Sequence, residues 1–293
     1  MQNIGTTIKT IRINKNLKQT ELFCVEQSTL SEIENNKRIP SIETFQNILD
    51  ALNINYTEFF YIHNNFQLPE KERLFNKFRL LGSSLELKTL KKFNNELIKF
   101  PNFKNNLFIQ SLSTIIEMSI NLNIHQNFDQ QTNEIELIMK NISSQEVFYH
   151  NDIYILSKIF FVFPIEQSDI LICRIKKELS KYENYPEIES FKITLLINIS
   201  IHYIHTNRIA QSKTQLEEAK EIAIKSGIER YNSTIDFLLL YSIYENGNKD
   251  FAINELYRIT HLLEQVGKNM EAQDMINDFR VYIIDKLISD ILD

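Results

Sequence analysis

The chain has 293 residues, a net charge of −6, and only 5 Gly and 5 Pro. Average usage would make those two types roughly 12% of a chain, so a β-sandwich or barrel lacks its turn residues and a Rossmann unit its Gly-rich loop. With 43% apolar residues, the composition predicts an all-α fold of long helices and short connections, with one or two cores at ~150 residues per domain.

Cys24 and Cys173 lie far apart and fit a reducing compartment rather than a disulfide framework. The N-terminus spaces its apolar residues three or four apart, unlike a signal peptide. The apolar stretch 193–205 is shorter than the ~20 residues of a membrane span and contains Asn and His. The expectation is a soluble, cytoplasmic protein.

In chain order, Ile4, Ile8 and Ile11 open a first helix. A second short helix is predicted over 19–23 and a third from about Gln27 to Asn35. Ser41 is placed to cap a fourth, whose buried stripe is Phe45, Ile48, Leu49 and Leu52. A fifth turn, 56–61, closes the unit. Residues 1–38 hold six basic side chains against four acidic ones, which leaves +2 there and −8 on the other 255 residues. The positive end is therefore N-terminal.

The organisation read from this is a domain over 1–63, a linker over 64–69 and a helical-repeat domain over 70–293. Helices are expected at about 70–81, 84–99, 104–122, 128–141, 145–163, 166–181, 187–205, 208–226, 229–245, 249–266 and 270–292. Gly82, Pro101, Pro164, Pro186, Gly227, Gly247 and Gly267 punctuate them. Helix starts near Ile165, Arg208 and Lys249 suggest a weak period of ~42 residues, with Ala210 and Ala252 at matching places. Such a period is that of a tetratricopeptide-like superhelix, although the full tetratricopeptide consensus is absent. An irregular helical bundle is the alternative.

Residues 4–60, from IGTTIKTIR through LKQTELF and VEQSTLSEIENNKRIPSIETFQNILDALNINYTEFF, resemble the helix-turn-helix domain of phage-repressor (Cro/C1, or XRE) type. The resemblance implies a recognition helix over 27–34, anchored by Leu30 and Ile33. Gln27, Ser28, Thr29 and Ser31 would then face the major groove with groups able to pair with base edges. The Gln19 amide would be free to meet a phosphate, and Asn36, Lys37 and Arg38 would grip the backbone. Arg12 is implied to pair with Glu34 rather than with DNA. The pattern departs from the family between Phe23 and Val25, where one residue, Cys24, stands in place of about four.

The whole chain resembles, in architecture and length, the Rgg/PlcR/PrgX regulators of low-GC Gram-positive bacteria. That resemblance implies a homodimer and a concave groove of repeats that binds a short signalling peptide. Asn side chains can both donate to and accept from an extended peptide backbone, which singles out Asn151, Asn198 and Asn232 on the expected inner helices. Asn198 is notable because it interrupts an apolar run. The aromatic run Ile159–Phe163 reads as core.

Nothing points to an enzyme. P-loop, GxSxG, HExxH and CxxC patterns are missing, and the pair His202 and His205 has no carboxylate or Cys at matching spacing for a metal. No cofactor is expected. The reading is a DNA-binding transcription regulator controlled by a short peptide, with a double-stranded operator, the peptide and a second copy as partners and no membrane. Two alternatives are a repressor whose repeats only dimerise, and a non-catalytic adaptor that sequesters a protein.

Overall fold

A computed structural model describes residues 3–81, 87–125, 135, 138, 142 and 145–292. Among them every regular element is helical, as the scarcity of turn residues requires. The chain divides into two compact units, Met1–Leu81 and Gly82–Asp293.

The first unit contains α1 (Ile4–Asn14), a single 3-10 turn (Gln19–Glu21), α2 (Gln27–Glu34), α3 (Ile42–Ala51), α4 (Tyr56–His63) and α5 (Glu70–Leu80). Helix α5, which the sequence reading grouped with the repeats, falls within this unit. Ile8 and Ile11 of α1, Leu30 and Ile33 of α2, the α3 stripe and Phe59 of α4 form one core. Ser41 caps α3 as expected, its hydroxyl accepting from the Thr44 amide at 3.1 Å.

The helix expected at 19–23 is only that 3-10 turn. The Glu21 carboxylate accepts from the Lys18 amide at 2.6 Å, and Leu22 leaves helical conformation to drop into the core. Phe23 is 91% exposed. So few residues separate Leu22 from α2 that a second helical turn does not fit.

Gly5 sits inside α1 rather than at a joint. A Cβ on it would lie 1.8 Å from the Ile33 carbonyl oxygen, so only glycine lets α1 approach the end of α2 this closely.

The second unit runs α6 (Leu87–Ile98), α7 (Leu107–His125), α8 (His150–Leu156), α9 (Ile165–Leu179), α10 (Ile188–His205), α11 (Ile209–Ser226), α12 (Asn232–Glu245), α13 (Lys249–Gln265) and α14 (Asn269–Leu292). The helix expected over 128–141 and the joint at Gly82 lie outside the described residues, save for positions 135 and 138. The helix expected over 145–163 is corrected to α8 alone, followed by a 3-10 turn at Phe160–Val162. Asp152 fixes its start by accepting from the Tyr149 amide at 3.0 Å. Pro164 forces Phe163 into extended backbone, which ends any helical path.

Asn207, Gly227, Gly247 and Gly267 stand 20 residues apart and all have left-handed backbone, with φ of 55°, 67°, 88° and 79°. At each, the residue's own amide bonds the carbonyl three back, and the following amide bonds the carbonyl five back. This is the Schellman closure of a helix. Over these four closures one helix ends every 20 residues, a helix-pair period of 40, while the starts at Ile165, Ile209 and Lys249 stand 44 and 40 apart, which averages to the expected ~42. The Ala210–Ala252 match fails accordingly: Ala210 is exposed, Ala252 is buried, and buried Ser212 holds the position equivalent to Ala252. The core of this half runs through α10 to α14.

Six of the eight described non-glycine residues with positive φ are Asn: 16, 36, 53, 65, 102 and 207. Asn tolerates the left-handed region because its short amide bonds locally. It supplies turns that a glycine-poor chain otherwise lacks.

Candidate nucleic-acid interface and inner groove

The candidate DNA face is built on α2. Leu30 and Ile33 turn inward, and Gln27 and Ser28 are exposed at the helix start. Thr29 and Ser31 are half-buried along the same helix. The helix ends in another Schellman closure, in which the Asn36 amide bonds the Ile33 carbonyl and the Lys37 amide bonds the Glu32 carbonyl, both at 2.9 Å.

Asn36 takes the left-handed position at φ 58°, and its side-chain amide donates to Thr6 Oγ1 at 2.8 Å. Its side chain thus ties α2 to α1. Lys37 and Arg38 are exposed at the same corner. Arg38 has a solvent-exposed Glu32 3.9 Å away, a loose contact that water weakens.

Behind this face lies a buried ion pair. Arg12 donates from Nε to Glu34 Oε1 at 2.5 Å and from Nη2 to Glu34 Oε2 at 2.8 Å. It also donates from Nη1 to the Leu17 carbonyl at 2.6 Å. The pairing implied by the resemblance is present, and it joins α1 to the end of α2. Burial alone would push the Glu34 carboxyl up. The hydrogen bonds from Arg12 and Gln19 outweigh that and hold it below the usual carboxylate range.

Gln19 differs from expectation here. Its amide donates to Glu34 Oε2 at 2.7 Å, so one of its two N–H groups is committed inward rather than free for a phosphate. The missed signal is the third donor that a buried bidentate carboxylate can still accept.

The second candidate site lies along α10. Ser190, Thr194, Asn198, Ile201 and His205 follow a spacing of four, four, three and four, which is one face of a helix. From Ser190 to His205 this stripe passes from buried to exposed, while the other faces of α10 are apolar and packed. Asn198 donates from Nδ2 to the Ser157 carbonyl at 3.3 Å. The Tyr231 hydroxyl lies 3.0 Å from Ser190 Oγ and 3.2 Å from Thr194 Oγ1. Arg230 also donates to Ser190 Oγ, with its guanidinium 4.9 Å from the Tyr231 ring centre.

Of the three asparagines singled out from sequence, Asn198 is on this stripe. Asn232 follows Tyr231 in the chain, and its Oδ1 is buried with no hydrogen-bond partner. Asn151 is exposed on α8.

Lys158, which follows Ser157, was not anticipated. Its Nζ lies 5.7 Å from the Tyr154 ring centre, and no carboxylate pairs with it among the described residues. Burial holds its ammonium below the usual lysine value. A lysine reads as surface in sequence, and the partial burial of this one appears only in the folded chain.

Further along, α10, α12 and α14 line a cavity of about 800 Å³. Phe237, Tyr241 and Tyr282 give it aromatic walls, and Glu271, Asp274, Asp278 and Asp285 make it acidic. Glu271 is paired with Lys268 at 3.0 Å, whereas Asp274 and Asp278 form no salt bridge among the described residues, and His205 in the same lining is the one group that favours the charged form of Asp278. Burial and the neighbouring Asp274 both push the Asp278 carboxyl up. Among the described residues no group of His, Cys, Asp and Glu is arranged to hold a metal. No described helix is long and apolar enough to cross a membrane.

Residues 8–59 match the helix-turn-helix family, the class that α2 and its supporting ion pair define. No protein of curated function matches the sequence. Over nearly the full chain the fold is that of known regulators. A candidate transcriptional regulator from Listeria monocytogenes EGD-e superposes with a TM-score of 0.76 at 17% identity, covering 97% of this chain and 98% of that one. PlcR of Bacillus thuringiensis, solved with the peptide PapR7 and DNA, gives 0.70 at 16% identity over 94% and 100%. ComR of S. thermophilus, solved with DNA and its signalling peptide ComS, gives 0.64 at 17% over 96% and 99%. At these identities the likeness concerns the fold.

Proposed function

We propose that this chain is a sequence-specific DNA-binding transcription regulator, active as a homodimer in the cytoplasm and controlled by a short peptide bound in the helical-repeat unit. One observation carries the DNA half. An α2 anchored by Leu30, Ile33 and the Arg12–Glu34 pair leaves Gln27 and Ser28 facing outward beside Lys37 and Arg38. Those exposed groups suit base edges and phosphates respectively.

Thr29 and Ser31 are assigned to the rim of the same interface. Asn36 and Gln19 are assigned supporting parts, since each already holds α2 in place. The peptide half rests on the stripe of α10, where Asn198 is the proposed backbone-binding amide and Asn232 a second. Asn151, exposed on α8, is assigned as a third. No step of catalysis is assigned to any of these groups.

The test is selection of bound duplexes from a randomised DNA pool by the full-length protein. A two-fold related motif with half-sites about one helical turn apart, or a multiple of it, is expected. Recovery of duplexes with no common motif would overturn the regulator reading in favour of the adaptor.

A further inference from the structure

The inner groove carries opposite charges at its two ends. At one end Arg230 lies against the Tyr231 ring and donates to Ser190, and Lys158, over the Tyr154 ring, is close enough to Tyr231 to interact with it electrostatically; no carboxylate pairs with either cation among the described residues. At the other end Asp274 and Asp278 face the aromatic cavity and form no salt bridge among the described residues; of the cationic groups that share the lining, Lys286 is taken by Glu245 and His205 acts on Asp278 from a distance. Surface charges normally stay in water. Arg230, Asp274 and Asp278 do so, and Lys158 is half-buried, so both ends offer a ligand charge complementarity, with a gain from relieved desolvation at Lys158 alone. The buried, unpartnered Oδ1 of Asn232 beside Tyr231 lacks a donor in the same way, and an N–H from a ligand would supply it.

The two ends share α10. Thr194 belongs to the cationic end and His205 to the acidic cavity. Eleven residues separate them, which is about 16 Å at 1.5 Å per helical residue. An extended chain rises ~3.3 Å per residue, so about five peptide residues span that distance.

We propose that the groove fixes the direction of its peptide: a carboxylate seats between Lys158 and Arg230, and a cationic group about five residues away seats against Asp274 and Asp278. This rests on the peptide-binding reading above. The carboxylate is either a C-terminus or an Asp or Glu side chain, and the cation either an N-terminus or a Lys or Arg. The aromatic walls of the cavity add attraction for a cation but none for an anion.

The probe is a pool of synthetic heptapeptides of random sequence, offered to the immobilised full-length protein in four forms: free termini, C-terminal amide, N-terminal acetyl, and both caps. Retained peptides are identified by mass spectrometry. Retention is expected to fall by about tenfold when a bound charge is capped, if the termini are what the groove reads. If side chains are read instead, all four pools retain peptides with an acidic residue and a basic residue about five positions apart.

Lys158→Gln should abolish the preference for the carboxylate alone, and Asp278→Asn the preference for the cation alone. Circular dichroism confirms that each variant is folded, and Arg230→Gln and Asp274→Asn serve as second probes of each end. Peptides retained without charge preference, or with the same preference in the variants, overturn the directional groove while leaving peptide binding intact. No retention from any pool overturns both.

Discussion

The most exacting test of the N-terminal unit is to remove one partner of its buried ion pair. The Glu34 side chain is 0% exposed and that of Arg12 is 10% exposed. Three N–H donors converge on the Glu34 carboxylate, two from Arg12 and one from Gln19. Glu34→Gln keeps the shape but removes the charge, leaves Arg12 a buried cation without its counterion, and turns an amide donor toward other donors. Breaking a buried pair in this way costs ~3–5 kcal/mol, against a whole-domain stability of ~5–15 kcal/mol.

The double variant Arg12→Met with Glu34→Met removes both charges together. Replacing a buried pair by apolar groups is commonly close to neutral, and the Leu17 carbonyl and Gln19 amide that lose partners are half-buried and within reach of water. The double should therefore be at least ~2 kcal/mol more stable than the single, by the same comparison.

The readout is hydrogen-exchange protection of segments 4–14 and 27–34 in the full-length protein along a urea series. A single substitution costing under ~1 kcal/mol, or a double costing as much as the single, would refute the role given to the pair, whose worth is set by desolvation. The pair also fixes an acid limb. Because the folded Glu34 carboxyl lies below its unfolded value of ~4.3, its contribution is complete above that pH and is lost as pH falls through the folded value. Glu34→Gln should flatten that limb.

Two glycine replacements should separate steric from conformational cost. Gly5→Ala puts a methyl 1.8 Å from the Ile33 carbonyl, so overpacking of ~1–3 kcal/mol should outweigh the ~1 kcal/mol that Ala otherwise gains in a helix. Gly247→Ala meets open space and should cost ~1–2 kcal/mol, solely from its φ of 88°; thermal denaturation of each variant checks both. Lys37→Ala with Arg38→Ala should weaken binding to every duplex alike and, since both protomers of the homodimer lose two contacts, lower the log–log salt slope by roughly 4, as fluorescence anisotropy across salt concentrations would show. Gln27→Ala should instead relax preference at one base position by ~1–3 kcal/mol, seen as a broadened motif in the selection.

What sequence made legible was whatever depends on spacing along one helix or is carried by the family resemblance. The inward set of α2, the cap at Ser41 and the Arg12–Glu34 pairing all follow from period or from the resemblance, and the structure contains them. Asn198 stood out for the same reason, as a lone amide within an apolar run. Groups whose character depends on a neighbour far along the chain escaped notice. Gly5 looks like a poor helix residue until the Ile33 carbonyl is beside it, 28 positions later. Gln19 looks like a free amide until Glu34 is there to accept from it.

The repeat shows the same division. Helix starts read from sequence at Ile165, Arg208 and Lys249 fall within a residue of those in the structure, and the joint after 205 is legible as well. The even spacing of the closures is hidden, because one of the four is Asn207, where the left-handed turn is made without glycine. Counting left-handed Asn together with Gly yields 207, 227, 247 and 267.

That regularity bears on the groove. A helix every 20 residues returns every second helix to the same side, so α10, α12 and α14 share the lining of one cavity. Each repeat can then change its inward side chains without disturbing its joints, because the closures use backbone and one left-handed residue. Charge can therefore be distributed along the groove one repeat at a time: cations where α8, α10 and the start of α12 meet, carboxylates on α14. The fold requires the spacing of the helices but not the sign of those charges. A groove of one sign would pack as well and would read only one end of a peptide.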